Sequence, residues 1–117
     1  MADVSLRLLV LKTHDIASVV EFYQSLGLTF AEERHGQGPL HYSAPLGDGV
    51  FEIYPLSDNQ TVDANTRLGF AIADPDAFVE LADSVGGCVV KAGRDTPWGY
   101  VALVTDPDGR TVELYRA

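Results

Sequence analysis

Two glutamates in this chain stand in the same unusual setting. Residues 50–55 read VFEIYP and residues 111–116 read TVELYR, so Glu52 and Glu113 each interrupt an apolar, aromatic run. A pair so placed makes a metal site, a binding site or two solvated edge positions. Side chains alternate along a strand, and that decides where they point. Phe51 and Ile53 must face the core, so Glu52 faces away from it. Val112 and Leu114 impose the same on Glu113. Tyr54 and Tyr115 follow two residues later on the same faces, each giving a flat ring and one polar atom to a small-molecule pocket. We take Glu52 and Glu113 as the candidate catalytic pair.

Further candidates surround them. Arg67 ends a polar stretch ahead of the second apolar block. Trp98 and Tyr100 stand in TPWGY (residues 96–100). A four-residue turn at Asp106–Gly109 pairs Thr105 with Arg110 and hence Tyr100 with Tyr115, which puts Tyr100 on the Glu113 face. His41 depends on a register. If Gly47 pairs with Val50, His41 shares the face of Glu52; if Leu46 pairs with Val50, it does not, because a one-residue slip flips the face. An inward His41 is a general base or a replacement metal ligand. His14, before a helix cap, and His35, in RHGQGP, read as solvated.

The totals narrow the classes of function. A chain of 117 residues, 46% apolar and 21% charged, makes one globular domain with a real core. No apolar run approaches the roughly 20 residues that span a bilayer, so no membrane is expected. MADVSLRLLVLK has no basic n-region, and we read no signal peptide. Cys88 is the single cysteine, which excludes an internal disulfide and a thiolate zinc cluster and suits a reducing cytoplasm. A net charge of −9, with the 8 bases scattered, argues against nucleic acid as a partner. That charge reads chiefly as solubility.

The elements that must position these residues repeat. Val4–Lys12 reads as a buried strand, and Asp15 caps a helix whose Val19, Phe22, Tyr23 and Leu26 form one apolar face ending at Gly27. Strands follow at Leu28–Arg34, Leu40–Ala44 and Val50–Leu56, the last two joined by the turn Gly47-Asp48-Gly49. After a polar linker (57–66), Leu68, Phe70 and Ile72 mark a strand. Asp74-Pro75 starts a second helix, ended by Gly86-Gly87. Cys88–Ala92, Tyr100–Thr105 and Thr111–Arg116 read as three more strands. VEFYQSLG (residues 20–27) matches VELADSVG (79–86) at an offset of 59, and the caps Asp15 and Asp74 are also 59 apart. The prediction is an α+β fold of two βαβββ repeats, 1–56 and 67–117, forming a cup-shaped mixed sheet with helices on its outer face.

The run DIASVVEFYQSLGL (residues 15–28) and the closing DPDGRTVEL (106–114) resemble the vicinal oxygen chelate superfamily, which holds glyoxalase I, the bleomycin-resistance proteins and extradiol dioxygenases. The resemblance covers nearly the whole chain. It implies that metal-dependent relatives draw ligands from the first and last strands of each unit. The last-strand glutamates correspond to Glu52 and Glu113. The first-strand ligand, usually histidine about seven residues before the cap, corresponds to Leu8 and Arg67. Both histidines are therefore replaced, and no metal or other cofactor is expected; a divalent metal, if present, would use Glu52, Glu113 and His41. Arg67 is expected to stand where the metal charge would stand. The facial triad of a metal-dependent dioxygenase cannot be assembled from these positions.

The leading expectation is a small-molecule-binding protein of the bleomycin-resistance type, with Arg67, His41, Tyr54, Trp98, Tyr100 and Tyr115 as ligand-binding residues. The alternative is a glyoxalase- or isomerase-like enzyme that moves a proton with Glu52 or Glu113, with or without a metal. The resemblance also implies a homodimer.

Overall fold

The computed structural model describes residues 3–117. The chain runs β1 (Leu8–Thr13), α1 (Ile16–Gln24), β2 (Ala31–Glu33), β3 (His41–Leu46), β4 (Gly49–Pro55), β5 (Leu68–Ile72), α2 (Pro75–Leu81) with a 3₁₀ turn (Ala82–Val85), β6 (Cys88–Thr96), β7 (Gly99–Thr105) and β8 (Thr111–Arg116). Both helices start where a side chain caps them. Asp15 accepts from the Ser18 amide at 3.2 Å, and Asp74 accepts from the Ala77 amide at 3.1 Å, with Pro75 as the first helical residue. Helices of 9 and 7 residues are too short to persist alone, so packing holds them.

The strands form two four-stranded mixed sheets with the same order, β1-β4-β3-β2 and β5-β8-β7-β6. In each, the first and last strands of the unit pair in parallel and the rest are antiparallel. The expected α+β fold of two βαβββ units is thus present, its sheet divided in two. No helix among the described residues is long and apolar enough to cross a membrane.

Strand ends depart from expectation for local reasons. β1 begins at Leu8 rather than Val4 because its partner β4 begins only at Gly49. The chain still passes close there: a Cβ on Gly49 would lie 2.6 Å from the Leu6 carbonyl oxygen, so only glycine fits. β2 is cut to three residues, while Leu28 and Phe30 pack on the core from the preceding loop. β6 is longer than expected and reaches Thr96, with two irregularities that shift its register against β7.

One core joins both units. Phe22 meets Phe78 edge-on at 5.3 Å, Tyr23 meets Phe51 at 5.0 Å, and Phe51 lies 6.2 Å from Phe70. A buried polar tie accompanies them. Arg110, 1% exposed, donates from Nη1 to Asp106 at 3.0 Å and from Nη2 to the Lys12 carbonyl of β1 at 3.0 Å. The Tyr23 hydroxyl donates to Asp106 at 2.7 Å. Burial first, and then the Asp106 charge, push that hydroxyl far up from its ordinary range.

Candidate functional site

The β7–β8 connection decides one predicted residue. Gly109 donates to the Asp106 carbonyl at 2.9 Å and takes φ +92°, which makes a three-residue loop with a left-handed closing glycine. Thr105 therefore pairs with Thr111, not Arg110, and Val101 with Tyr115. The one-residue shift puts Tyr100 on the opposite face. Its hydroxyl donates to Asp76 at 2.7 Å and its ring lies 3.9 Å beneath the Arg116 guanidinium, beside α2. The expectation that Tyr100 shares the Glu113 face is corrected.

On the Glu113 face, Gly69 of β5 and Leu103 of β7 flank the glutamate. Both carboxylate oxygens are engaged: Tyr115 donates its hydroxyl to Oε1, and Arg67 donates Nε–H to Oε2. The Tyr115 hydrogen bond, then Arg67, hold the Glu113 carboxyl below the usual carboxylate range. The same bond raises the Tyr115 hydroxyl. Beside them opens a cavity of about 300 Å³, lined also by Arg94, Thr96, Trp98, Val101 and Leu103. Trp98, 79% exposed, sits in the β6–β7 turn, where its amide donates to Thr96 Oγ1 at 3.2 Å.

The first unit treats its glutamate differently. β3 and β4 join through a two-residue turn, with Leu46 opposite Gly49 and Ser43 opposite Glu52. Neither register considered for this hairpin is the observed one. The observed pairing lies two residues from the one that faced His41 inward, and an even slip keeps the face. His41 therefore shares the face of Glu52, with Nε2 at 3.6 Å from Glu52 Oε2 and 3.4 Å from Glu33 Oε1. Its ring stacks on Tyr54 at 4.1 Å and 8°. Burial, then Glu52 and Glu33, raise the Tyr54 hydroxyl.

Two members of this group escaped the sequence reading. Glu33 comes from the short edge strand β2, opposite His41. His35, exposed as expected, lies 3.6 Å from Glu33 and is no isolated surface residue. The spacing E-x-H (residues 33–35) just ahead of His41 is the one sequence signal that pointed there.

The positions matched to metal ligands in the superfamily are Leu8, Glu52, Arg67 and Glu113. They do not fit a metal. Leu8, opposite Val50, has no lone pair to give, and Arg67 is a cation already paired to Glu113. Among the described residues, no side chain is hydrogen-bonded or ion-paired to both glutamates. Glu52 pairs with His41, and Glu113 with Arg67 and Tyr115.

Known proteins share this architecture. An uncharacterized protein of Mycolicibacterium smegmatis is 25% identical over 115 residues, covering 98% of this chain and 96% of that one. A glyoxalase/bleomycin resistance protein of Albidiferax ferrireducens superposes with a TM-score of 0.72 at 21% identity, over 96% of this chain and 98% of its own. The bleomycin-binding protein of Streptomyces verticillus, solved with copper(II)-bleomycin, gives 0.60 at 24% identity, over 100% and 99%. These structural likenesses carry the fold. The Glyoxalase/Bleomycin resistance protein/Dioxygenase superfamily model matches residues 6–114, and the chain belongs to that superfamily.

Proposed function

We propose that this chain is a small-molecule-binding protein of the glyoxalase/bleomycin-resistance type, with its ligand in the second-unit cavity and no metal at the matched positions. One observation carries the reading: Glu113 is saturated by Arg67 and Tyr115 at the wall of a cavity of about 300 Å³. A saturated carboxylate is a wall, and the guanidinium it anchors is the binding group. Arg94 adds a second guanidinium, so the lining has two cations to one carboxylate. The ligand that suits it carries an anionic group and a flat part that stacks on Trp98.

A homodimer belongs to this proposal. Leu8, Val10 and Val50, on the Glu52 face of β1 and β4, are 54%, 37% and 38% exposed, an apolar strip that a second copy would cover.

The second reading is an isomerase-like enzyme. Glu113 is a poor base because both of its oxygens are taken. Glu52 is the better proton carrier, beside the bare Nε2 of His41.

Calorimetry with planar aromatic carboxylates and their ammonium counterparts tests the binding reading. The expected result is 1:1 binding of a carboxylate that Arg67→Ala weakens tenfold or more. Binding of the ammonium compounds alone would overturn it.

A further inference from the structure

We propose that Glu33, His35, His41 and Glu52 form a binding site for one divalent transition-metal ion of the zinc type. Three of these four residues lie outside the positions that the superfamily's metal pattern uses. Each offers one ligand atom, and the four atoms lie within 4.8 Å of one another.

His41 makes the argument. Its side chain is 1% exposed, and its Nε2 has no hydrogen-bond partner among the described residues. Nδ1 lies 3.2 Å from the Pro39 carbonyl, an acceptor, so Nδ1 carries a proton, and in the neutral ring Nε2 presents the lone pair. That lone pair faces two carboxylate oxygens, at 3.4 and 3.6 Å. Three electron-rich atoms converge there. No lysine or arginine among the described residues is ion-paired to Glu33 or Glu52, in contrast to Arg67 on Glu113. A carboxylate-flanked buried lone pair with no ammonium beside it is costly unless a proton or a metal ion sits there.

The separations between His41 and the two carboxylates suit such an ion, while His35 must move in to complete the shell. Bonds of about 2.0–2.1 Å in a tetrahedron put neighbouring ligand atoms about 3.3–3.4 Å apart. The observed 3.4 and 3.6 Å are near that edge and too long for hydrogen bonds. The site is also preorganised. The Tyr54 stack fixes the imidazole, and the Pro39 carbonyl fixes its tautomer, as outer partners of metal-bound histidines do. Glu33 is the direct cross-strand neighbour of His41. His35, 73% exposed, is the movable fourth ligand. Two imidazoles with two carboxylates favour zinc, cobalt or nickel over magnesium or calcium, which prefer all-oxygen shells.

Titration of chelator-treated protein with Zn²⁺ by calorimetry, and with Co²⁺ by visible absorption, tests the site. One ion per chain is expected at micromolar affinity or tighter, with the intense absorption of four-coordinate Co²⁺. Glu33→Gln and His35→Ala alter partly exposed side chains, so folding is expected to survive, and each should weaken binding at least tenfold. Glu113→Gln should leave the metal affinity where it was. Absence of stoichiometric binding overturns the proposal. So does binding indifferent to both first-unit variants, or binding lost in Glu113→Gln. Nitrogen NMR gives an independent reading: a His41 ring protonated on both nitrogens and unmoved by Zn²⁺ would also overturn it.

Discussion

The two units of this chain share strand order, helix caps and a glutamate in the last strand, yet they surround that glutamate differently. In the second unit the cation is covalently present: Arg67 holds Glu113 from the residue just before β5. In the first unit the corresponding position is Leu8, and Glu52 meets a bare imidazole instead. The two units thus share the carboxylate while the group that faces it differs. The fixed guanidinium makes a permanent wall for a cavity. On the proposed reading, the histidine leaves a place for an exchangeable ion. Similar backbones do not imply similar electrostatics, and superfamily membership alone does not say what each unit does.

The two units fold as one body if their shared core is cooperative, and Arg110 tests that most severely. It ties Asp106 of the β7–β8 loop to the Lys12 carbonyl of β1. Arg110→Ala would leave the buried Asp106 charge without its guanidinium. A cost of about 3–5 kcal/mol is expected in urea denaturation, with a single transition in the wild type. Two separate transitions in the wild type would break the premise of one cooperative core.

Arg67→Ala asks whether the second unit owes its character to the guanidinium. Anionic ligand affinity should fall tenfold or more, about 1.4 kcal/mol, while Zn²⁺ affinity stays unchanged. A parallel loss of Zn²⁺ binding would mean that the units are not separate sites.

Tyr115→Phe sharpens the same point more gently. It removes the hydrogen bond that most strongly holds the Glu113 carboxyl below its ordinary value of 4.5. A folded-state value lowered in this way stabilises the protein fully above the ordinary value. That contribution disappears as pH falls through the lowered one. The variant should therefore be less stable by about 1 kcal/mol at neutral pH, and the gap should narrow in acid. A gap that is constant from neutral pH to well below 4.5 would show that Glu113 ionisation is not involved.

Much of this architecture was legible in the sequence, and the misses have physical causes. Glu52 and Glu113 could be aimed because apolar neighbours on both sides fix strand parity. The caps were readable because Asp15 and Asp74 act within three residues of themselves. Tyr100 was misplaced because DPDGR closes its loop with one more residue than a four-residue turn, and one residue reverses a face. Arg110 gives no local signal of its tie to Lys12, because that carbonyl lies 98 positions earlier in the chain. Glu33 and His35 were missed because a three-residue edge strand and its loop carry little periodicity. Their partnership with His41 exists only in space.

The smallest expected effect separates the duplicated caps. Asp15 accepts from both the amide and the hydroxyl of Ser18, at 3.2 and 2.7 Å, whereas the Asp74 side chain accepts, among the described residues, only from the Ala77 amide. Pro75 presets the first turn of α2 whether or not its cap is present. Replacing either aspartate by alanine should cost on the order of 1 kcal/mol, with Asp15→Ala the larger loss in matched urea titrations. Reversal of that order would mean that α2, which continues into a 3₁₀ turn, depends on its start more than α1 does. The units would then differ in how they are held as well as in how they are charged.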